Sequence, residues 1–124
     1  MPDHYRIDVR LEGLDYRYDA ENAPTETPHV FVYTITIENR GEETIRLIGR
    51  KWVITKSDGD RIIVEGDKIV GEEPTLEPGR RFTYNSFHLL DQDATADGSY
   101  FGIDAEEQPI VIPIPSFVMQ IPHD

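Results

Sequence analysis

The 124-residue sequence contains no cysteine, and this absence excludes several kinds of chemistry. Without cysteine there is no disulfide framework, no thiol nucleophile and no thiolate zinc site. The sequence also lacks any apolar run that approaches the ~18 residues of a membrane span. Its first residues, MPDHYRIDVRLEG, have no apolar core typical of a signal peptide. We therefore expect a cytoplasmic protein without a membrane partner.

Positive charge is scarce. Twelve Lys and Arg residues stand against 24 Asp and Glu residues, so that the formal net charge is −12. The electrostatic field of this negative charge repels the phosphates of nucleic acids and the surfaces of anionic membranes. We therefore expect no nucleic-acid partner. The length predicts one domain over residues 1–124, because two halves of this size would each have a poor core.

No useful length of the sequence shows helical periodicity, and the dominant pattern is apolar alternation with period two. Near the N-terminus, Tyr5, Ile7, Val9 and Leu11 fall on one side of a predicted half-buried strand. Further strands are predicted at 29–39, at 44–55 with a bulge near Gly49, at 61–65, from Phe82 onward, at 99–103 and in the tail around 110–122.

Polar, glycine-bearing or proline-bearing connections separate these strands, at 19–28, 57–60, 77–79, 91–98 and 106–109. Seven or eight short strands with frequent turns predict an all-β fold, an antiparallel β-sandwich of immunoglobulin or fibronectin type III kind. A closed barrel is the competing architecture. Pro113 and Pro115 have no backbone N–H to donate, so we expect the last strand at a sheet edge or a bulge.

Six segments, occurring in order and at matching separations, resemble the ApaG family along nearly the whole chain. They are HVFVYTITIEN, RKWVIT, IVGEEPTLEPG, FTYNS, GSY and IPSFVMQIP. The resemblance implies an immunoglobulin-like or fibronectin-like sandwich, in agreement with the strand pattern. It also implies an association with cobalt and magnesium efflux for bacterial members, and protein recognition for the similar domains of eukaryotic ubiquitin-ligase and polymerase-interacting proteins. No enzymatic activity is firmly associated with the family.

The loop after the strand at 61–65 allows two interpretations. ApaG sequences often carry a Gly-x-Gly-x-x-Gly pattern here, and the matching residues are Gly66, Lys68 and Gly71. One hypothesis is a small-anion site for pyrophosphate or a nucleotide, with Lys68 supplying positive charge. However, no helix pattern follows, and two glutamates do. The other interpretation is a connection in which the glycines permit positive φ and Val70 turns inward as an anchor.

Three other arrangements suggest chemistry. Asp91, Asp93 and Asp97 have part of the spacing of a calcium loop, although its glycine and final glutamate are missing. They predict at most a weak divalent-cation site. Ser86, His88 and Asp91 contain the residue types of a hydrolase triad but lack the sharp turn that activates its nucleophile. The four histidines, which also include His4, His29 and His123, are far apart in sequence.

Trp52 is the only tryptophan, in an alternating stretch beside Arg50 and Lys51. A single tryptophan often fills the centre of a sandwich, so we expect a core position, with an exposed anchor for a partner as the alternative. Taken together, these features predict a non-catalytic module that binds a protein or peptide and needs no cofactor. We also predict an assembly, a homodimer that forms through an edge strand. The alternative function is a small-anion or divalent-cation binding protein.

Overall fold

The computed structural model describes residues 6–122, which form eight β-strands and no helix. Within this range there is accordingly no helix of the length and apolarity needed to cross a membrane. The strands are β1 (Ile7–Tyr18), β2 (His29–Asn39), β3 (Ile45–Lys56), β4 (Arg61–Asp67), β5 (Thr75–Leu76), β6 (Arg81–Leu90), β7 (Ala94–Ile103) and β8 (Pro109–Met119).

The strands form two antiparallel sheets. The smaller sheet has the order β1-β2-β6, and the larger has the order β4-β3-β7-β8, with the short β5 also paired to β3. Every strand pair is antiparallel. The inner faces of the two sheets pack on each other around a shared apolar core, which confirms the predicted β-sandwich.

Aromatic rings fill the middle of this core. Trp52 of β3 is 2% exposed, which confirms its predicted core position. It meets Tyr33 of β2 edge-on, with ring centroids 5.1 Å apart, and Phe117 of β8 at 5.8 Å. Because three strands from both sheets contribute to this cluster, it fixes the separation of the sheets. Burial of each such ring contributes roughly 1.5–3 kcal/mol by transfer alone.

Two β-bulges adjust the larger sheet. The pairing of β3 with β7 shifts between Leu47 and Gly49, which confirms the bulge predicted near that glycine. The pairing of β7 with β8 shifts between Ala96 and Gly98, opposite the proline-bearing stretch of β8. Since β8 is also the last strand of its sheet, the expectation drawn from its prolines is confirmed in both respects.

Some predicted boundaries were wrong. The segment 91–98 was expected to be a polar connection, but β7 already begins at Ala94. Ala94 and Ala96 are 4% and 0% exposed, so two small residues continue the inward-facing alternation of this strand. The first strand also runs on to Tyr18, whereas Tyr5, at its predicted start, lies outside the described residues.

The two sides of the sandwich, where the sheet edges lie, differ. On one side β1 and β8 contact each other across the interior, and we call this the closed side. On the other side the smaller sheet ends at β6, whose His88 packs on Trp52 of β3. The larger sheet continues past β3 to β4, so that β4 extends beyond β6. We call this the open side.

Candidate functional site

A groove on the open side separates β6 from β4 and reaches the aromatic core. Its volume is about 330 Å³. Two depressions are larger, about 450 Å³ beside Phe82 and about 430 Å³ beside Asp104, but strand ends and turns line them. The groove is lined by Tyr33, Arg50, Trp52, Ile54, Ile62, Val64, Ser86, Phe87, His88, Leu89 and Leu90.

The apolar wall of the groove is the inner face of β4. Val64 and Ile62 pair with Trp52 and Ile54 of β3, so all four side chains lie on the inner face of the larger sheet. Each of these two β4 residues is nevertheless 39% exposed, because within residues 6–122 no strand of the smaller sheet lies opposite them. The inner face of β4 thus carries apolar residues of the kind found in a core, but they remain partly exposed to solvent.

His88 forms the opposite wall. It is 9% exposed, stacks on Tyr33 with ring centroids 4.9 Å apart, and meets Trp52 edge-on at 4.9 Å. Its Nε2 is buried and has no hydrogen-bond partner among the described residues. Burial lowers the pKa of His88 to about 4, so the ring is neutral near pH 7.

Tyrosine hydroxyls lie below the groove. The hydroxyls of Tyr84 and Tyr100 are 2.5 Å apart and join β6 to β7 through the core. Burial raises the pKa of both phenols, and it also raises the pKa of Tyr33, against smaller opposing effects from Ser86 and the Arg50 charge. These phenols stay protonated at neutral pH, so they supply hydrogen-bond donors rather than nucleophiles.

Arg50 is the cation of the groove. It shares the inner face of β3 with Trp52, and its Nη1 donates to the carbonyls of Asp67 and Lys68 at 2.8 and 3.0 Å. Among residues 6–122, Arg50 has no carboxylate ion-pair partner, although the chain as a whole is strongly acidic. One end of the groove therefore carries an unneutralised positive charge.

The loop after β4 is a tight turn. Ile69 and Glu72 exchange two backbone hydrogen bonds of 2.8 and 3.0 Å, while Val70 and Gly71 both have positive φ, which is a type I′ turn. Before it, Lys68 also has positive φ, and its N–H donates to the Ile48 carbonyl. Three loop amides are thus already hydrogen-bonded within the protein.

The predicted loop residues have different structural roles. Gly71 has φ +82°, as expected for a connection, but Gly66 lies in β4 and does not have positive φ. A Cβ at Gly66 would lie 3.0 Å from Nη1 of Arg50, so this glycine makes room for the guanidinium. The inward anchor is Ile69, at 0% exposed, and the prediction that Val70 turns inward was wrong, because it is 47% exposed. Anion binding at the loop stays a prediction.

The three aspartates of the predicted cation site have different surroundings. Asp91 is exposed and lies 3.4 Å from Nζ of Lys56. Asp93 accepts the Ile121 N–H at 2.8 Å, and Asp97 lies within β7. Residues 6–122 contain no group of three or more Asp, Glu or His side chains placed to hold a metal. Cation binding at Asp91, Asp93 and Asp97 stays a prediction from spacing.

The residues of the imagined triad do not form a relay. Ser86 and His88 share the inner face of β6 and line the groove, but Asp91 does not line it. The unpartnered Nε2 of His88 also lacks the acceptor or donor that a triad requires. His4 and His123 lie outside the described residues.

Sequence reasoning missed the residues that distinguish this groove, namely Arg50, Ile62 and Val64. A signal for Arg50 was present, because it alternates in register with Trp52 and Ile54 and so falls on the inner face of its strand. The exposure of Ile62 and Val64 depends on how many strands each sheet contains, and no local pattern contains that information.

Comparison with known proteins gives consistent matches over most of the chain. The family model of the ApaG domain matches residues 19–103. The protein ApaG of Proteus mirabilis is 40% identical over 115 residues, with 92% of each chain covered. The protein ApaG of Deinococcus radiodurans is 37% identical over 115 residues, with 92% of this chain and 88% of that one covered. A crystal structure described as an ApaA protein from Bordetella pertussis superposes with a TM-score of 0.83 at 30% identity, with 97% of both chains covered.

Proposed function

This chain belongs to the ApaG family, and from the geometry of its open side we propose that it is a non-catalytic domain that recognises a protein partner. The observation that carries the proposal is the uncovered inner face of β4, where Ile62 and Val64 lie beside the free edge of β6. Exposed apolar surface next to an unpaired strand edge is a common site of protein recognition.

The chemistry of the groove supports binding rather than catalysis. His88 is neutral, its Nε2 has no partner in the described part of the chain to relay a proton, and the phenols remain protonated. Ser86 lies within a regular strand and not on a strained turn. Arg50 is already fixed by two backbone carbonyls, which suits a charge that orients a partner.

The net charge of −12 adds an expectation about the partner. A partner with basic residues around its contact surface is steered towards this chain, whereas an acidic one is repelled. Raising the salt concentration should therefore slow association, with a smaller effect on dissociation. Stopped-flow measurement of the association rate at two ionic strengths checks this expectation once a partner is known.

Site-specific photocrosslinking in cells that express the whole chain tests the proposal. A photoreactive phenylalanine analogue replaces Phe87 of the edge strand β6, which lies at the rim of the groove and is 56% exposed, with its side chain on the outer face. The matched position is Val111 on β8, which is 64% exposed on the closed side. We expect discrete crosslinked protein species from position 87 that disappear in an Ile62→Lys background, and none from position 111. Crosslinks that are equal at both positions, or absent at position 87, would refute the proposal.

A further inference from the structure

The two sheets of the sandwich differ in extent at the open side, and this difference defines a strand-shaped space. The smaller sheet ends at β6, which packs over β3, while the larger sheet continues to β4. Neighbouring strands of a sheet lie ~4.8 Å apart. One more strand paired to β6 would therefore lie opposite β4 and cover the inner-facing side chains of Ile62 and Val64.

The free edge of β6 suits such pairing. β6 has ten residues, Arg81–Leu90, and its pairing with β2 has no register shift. It contains neither proline nor a bulge, which are the usual protections of an edge strand. Its second edge leaves alternate N–H and C=O groups available to an incoming strand.

The inner face of the groove sets the side-chain pattern of the incoming strand. Ile62, Val64 and Gly66 follow one another at intervals of two on β4, and Gly66 pairs with Arg50. The first two present apolar surface, and Arg50 presents a positive charge without a carboxylate partner among the described residues. A strand opposite them therefore needs two apolar residues and then an acidic residue, at alternate positions.

We infer that an extended segment of a partner protein pairs antiparallel with β6 as a fourth strand of the smaller sheet. Its sequence follows the order apolar, any residue, apolar, any residue, Asp or Glu, so that the first, third and fifth side chains point inward and the carboxylate meets Arg50. The inference rests on the proposed recognition function and specifies its mode. Antiparallel pairing is chosen because such pairs outnumber parallel ones two- to threefold.

Two other arrangements fit the groove less well. A strand paired to the free edge of β4 would extend the larger sheet and leave Ile62 and Val64 uncovered. A second copy of this chain paired through its own β6 would bring no carboxylate to Arg50, because β6 contains no Asp or Glu. Charge complementarity therefore favours a different protein that carries the acidic residue within its strand and basic residues around it.

Synthetic peptides titrated into the full-length chain test the inference. The test peptide contains the core Ile-Thr-Val-Thr-Glu between lysine flanks, and the matched peptide has Gln in place of Glu. We expect saturable binding of the first and about tenfold weaker binding of the second, as the loss of a charge-assisted hydrogen bond predicts. Hydrogen exchange measured by NMR should slow at alternate amides of residues 81–90.

Two β4 variants form the matched pair on the protein. Ile62→Lys places a charge in the groove, whereas Ile63→Lys places the same charge on the opposite face of the same strand, at a residue 60% exposed. We expect at least about a tenfold loss of affinity for the first variant and no loss for the second. If Ile62→Lys does not fold, Arg50→Gln replaces it, because this variant should remove the preference for Glu over Gln.

Several outcomes would overturn the inference. They are no binding of the Glu peptide, protection of β4 or β8 amides instead of β6 amides, and equal losses for Ile62→Lys and Ile63→Lys. Failure here remains distinguishable from failure of the proposed function. Crosslinks from position 87 without β6 protection would leave a recognition groove that binds by another mode, whereas the absence of both would reject both proposals.

Discussion

The closed and open sides of this sandwich are built from the same kinds of strand but treat their edges differently. On the closed side, β8 carries prolines at 109, 113 and 115, and β1 has a register shift near Gly13 and an Arg10–Glu38 ion pair of 2.9 Å. On the open side, β4 presents three consecutive exposed apolar residues, and β6 is regular. Prolines, bulges and charges prevent unwanted strand pairing. The prolines and the register shifts of the edge strands lie on the closed side, whereas β4 and β6 on the open side contain neither.

The same comparison explains why the groove reaches the core. On the closed side, β1 and β8 contact each other, so the sheets end together. On the open side, the sheets end one strand apart, and the groove is lined by His88 and by Trp52, which is itself part of the core. A ligand bound in this groove, or a change in the charge of His88, therefore acts directly on the core.

Truncation of the floor of the open side should have the largest effect. Trp52→Ala removes a ring that contacts both sheets and should lower the free energy of unfolding by about 3–5 kcal/mol. Thermal or urea unfolding measures the loss. The control is Val111→Ala on the closed side, which should change stability by less than about 0.5 kcal/mol because the side chain is mostly exposed. Similar losses for the two variants would contradict the assigned roles.

Protonation of His88, which lies on the open side, should have the next largest effect on the free energy of unfolding. Its pKa is lowered by burial to about 4, so the unfolded chain binds the proton more readily. Its contribution to stability is complete above about pH 6.5 and is lost as the pH falls towards 4, amounting to about 3 kcal/mol.

The control for this pH effect is His88→Phe, which keeps a ring and removes the titrating group. The difference in unfolding free energy between the native chain and this variant isolates the histidine from the many carboxylates. As the pH falls from 6.5 to 4, we expect the unfolding free energy of the variant to rise relative to that of the native chain. A difference that is independent of pH would show that His88 is protonated without cost in the folded state.

The two loop glycines should differ in a smaller way. Gly71→Ala introduces a Cβ at φ +82° and should cost about 1–2 kcal/mol in unfolding free energy. Gly66→Ala should cost less, up to about 1 kcal/mol, because its Cβ would lie 3.0 Å from Nη1 of Arg50 and would shift a guanidinium that donates to two carbonyls. NMR titration with pyrophosphate tests the anion hypothesis at the same loop. We expect no shift of the Lys68, Ile69 and Glu72 amides, since all three are already hydrogen-bonded.

Removing the edge protection of the closed side should change association more than stability. Pro113→Val combined with Pro115→Val gives β8 an unprotected edge, and we expect concentration-dependent self-association in light scattering. The unfolding free energy at low concentration should change little. The native chain in the same experiment tests the predicted edge-strand homodimer. If the double variant behaves as the native chain does, the prolines do not protect that edge.

Much of the fold was predictable because alternation is a local signal. The segments around β2, β3 and the β3–β4 hairpin were identified from apolar period and turn residues, and Gly49 marked its bulge. The start of β7 was not predicted because Ala94 and Ala96 are small and lie among polar residues, so that they give only a weak apolar alternation. Both are nevertheless buried. That boundary follows from the pairing of Ala94 and Ala96 with β3 and β8, which the segment's own sequence does not show.

The candidate site was less predictable, for a physical reason. The glycine and lysine residues of the loop resemble a known motif and so predicted an anion site there, but the positive charge at the groove is Arg50, which contacts that loop from β3. The groove itself arises from strand order, which brings β6 next to β4 across the interior. Residues 86–88 and 62–64 are close only because two sheets of unequal width are stacked.

Trp52 gives the open side its own optical reporter. It is the only tryptophan in the chain, and it lies in ring contact with His88 at the floor of the groove. All indole fluorescence of this protein therefore comes from the place where a partner strand would settle. Changes in emission intensity or wavelength monitor that place directly, without an attached dye.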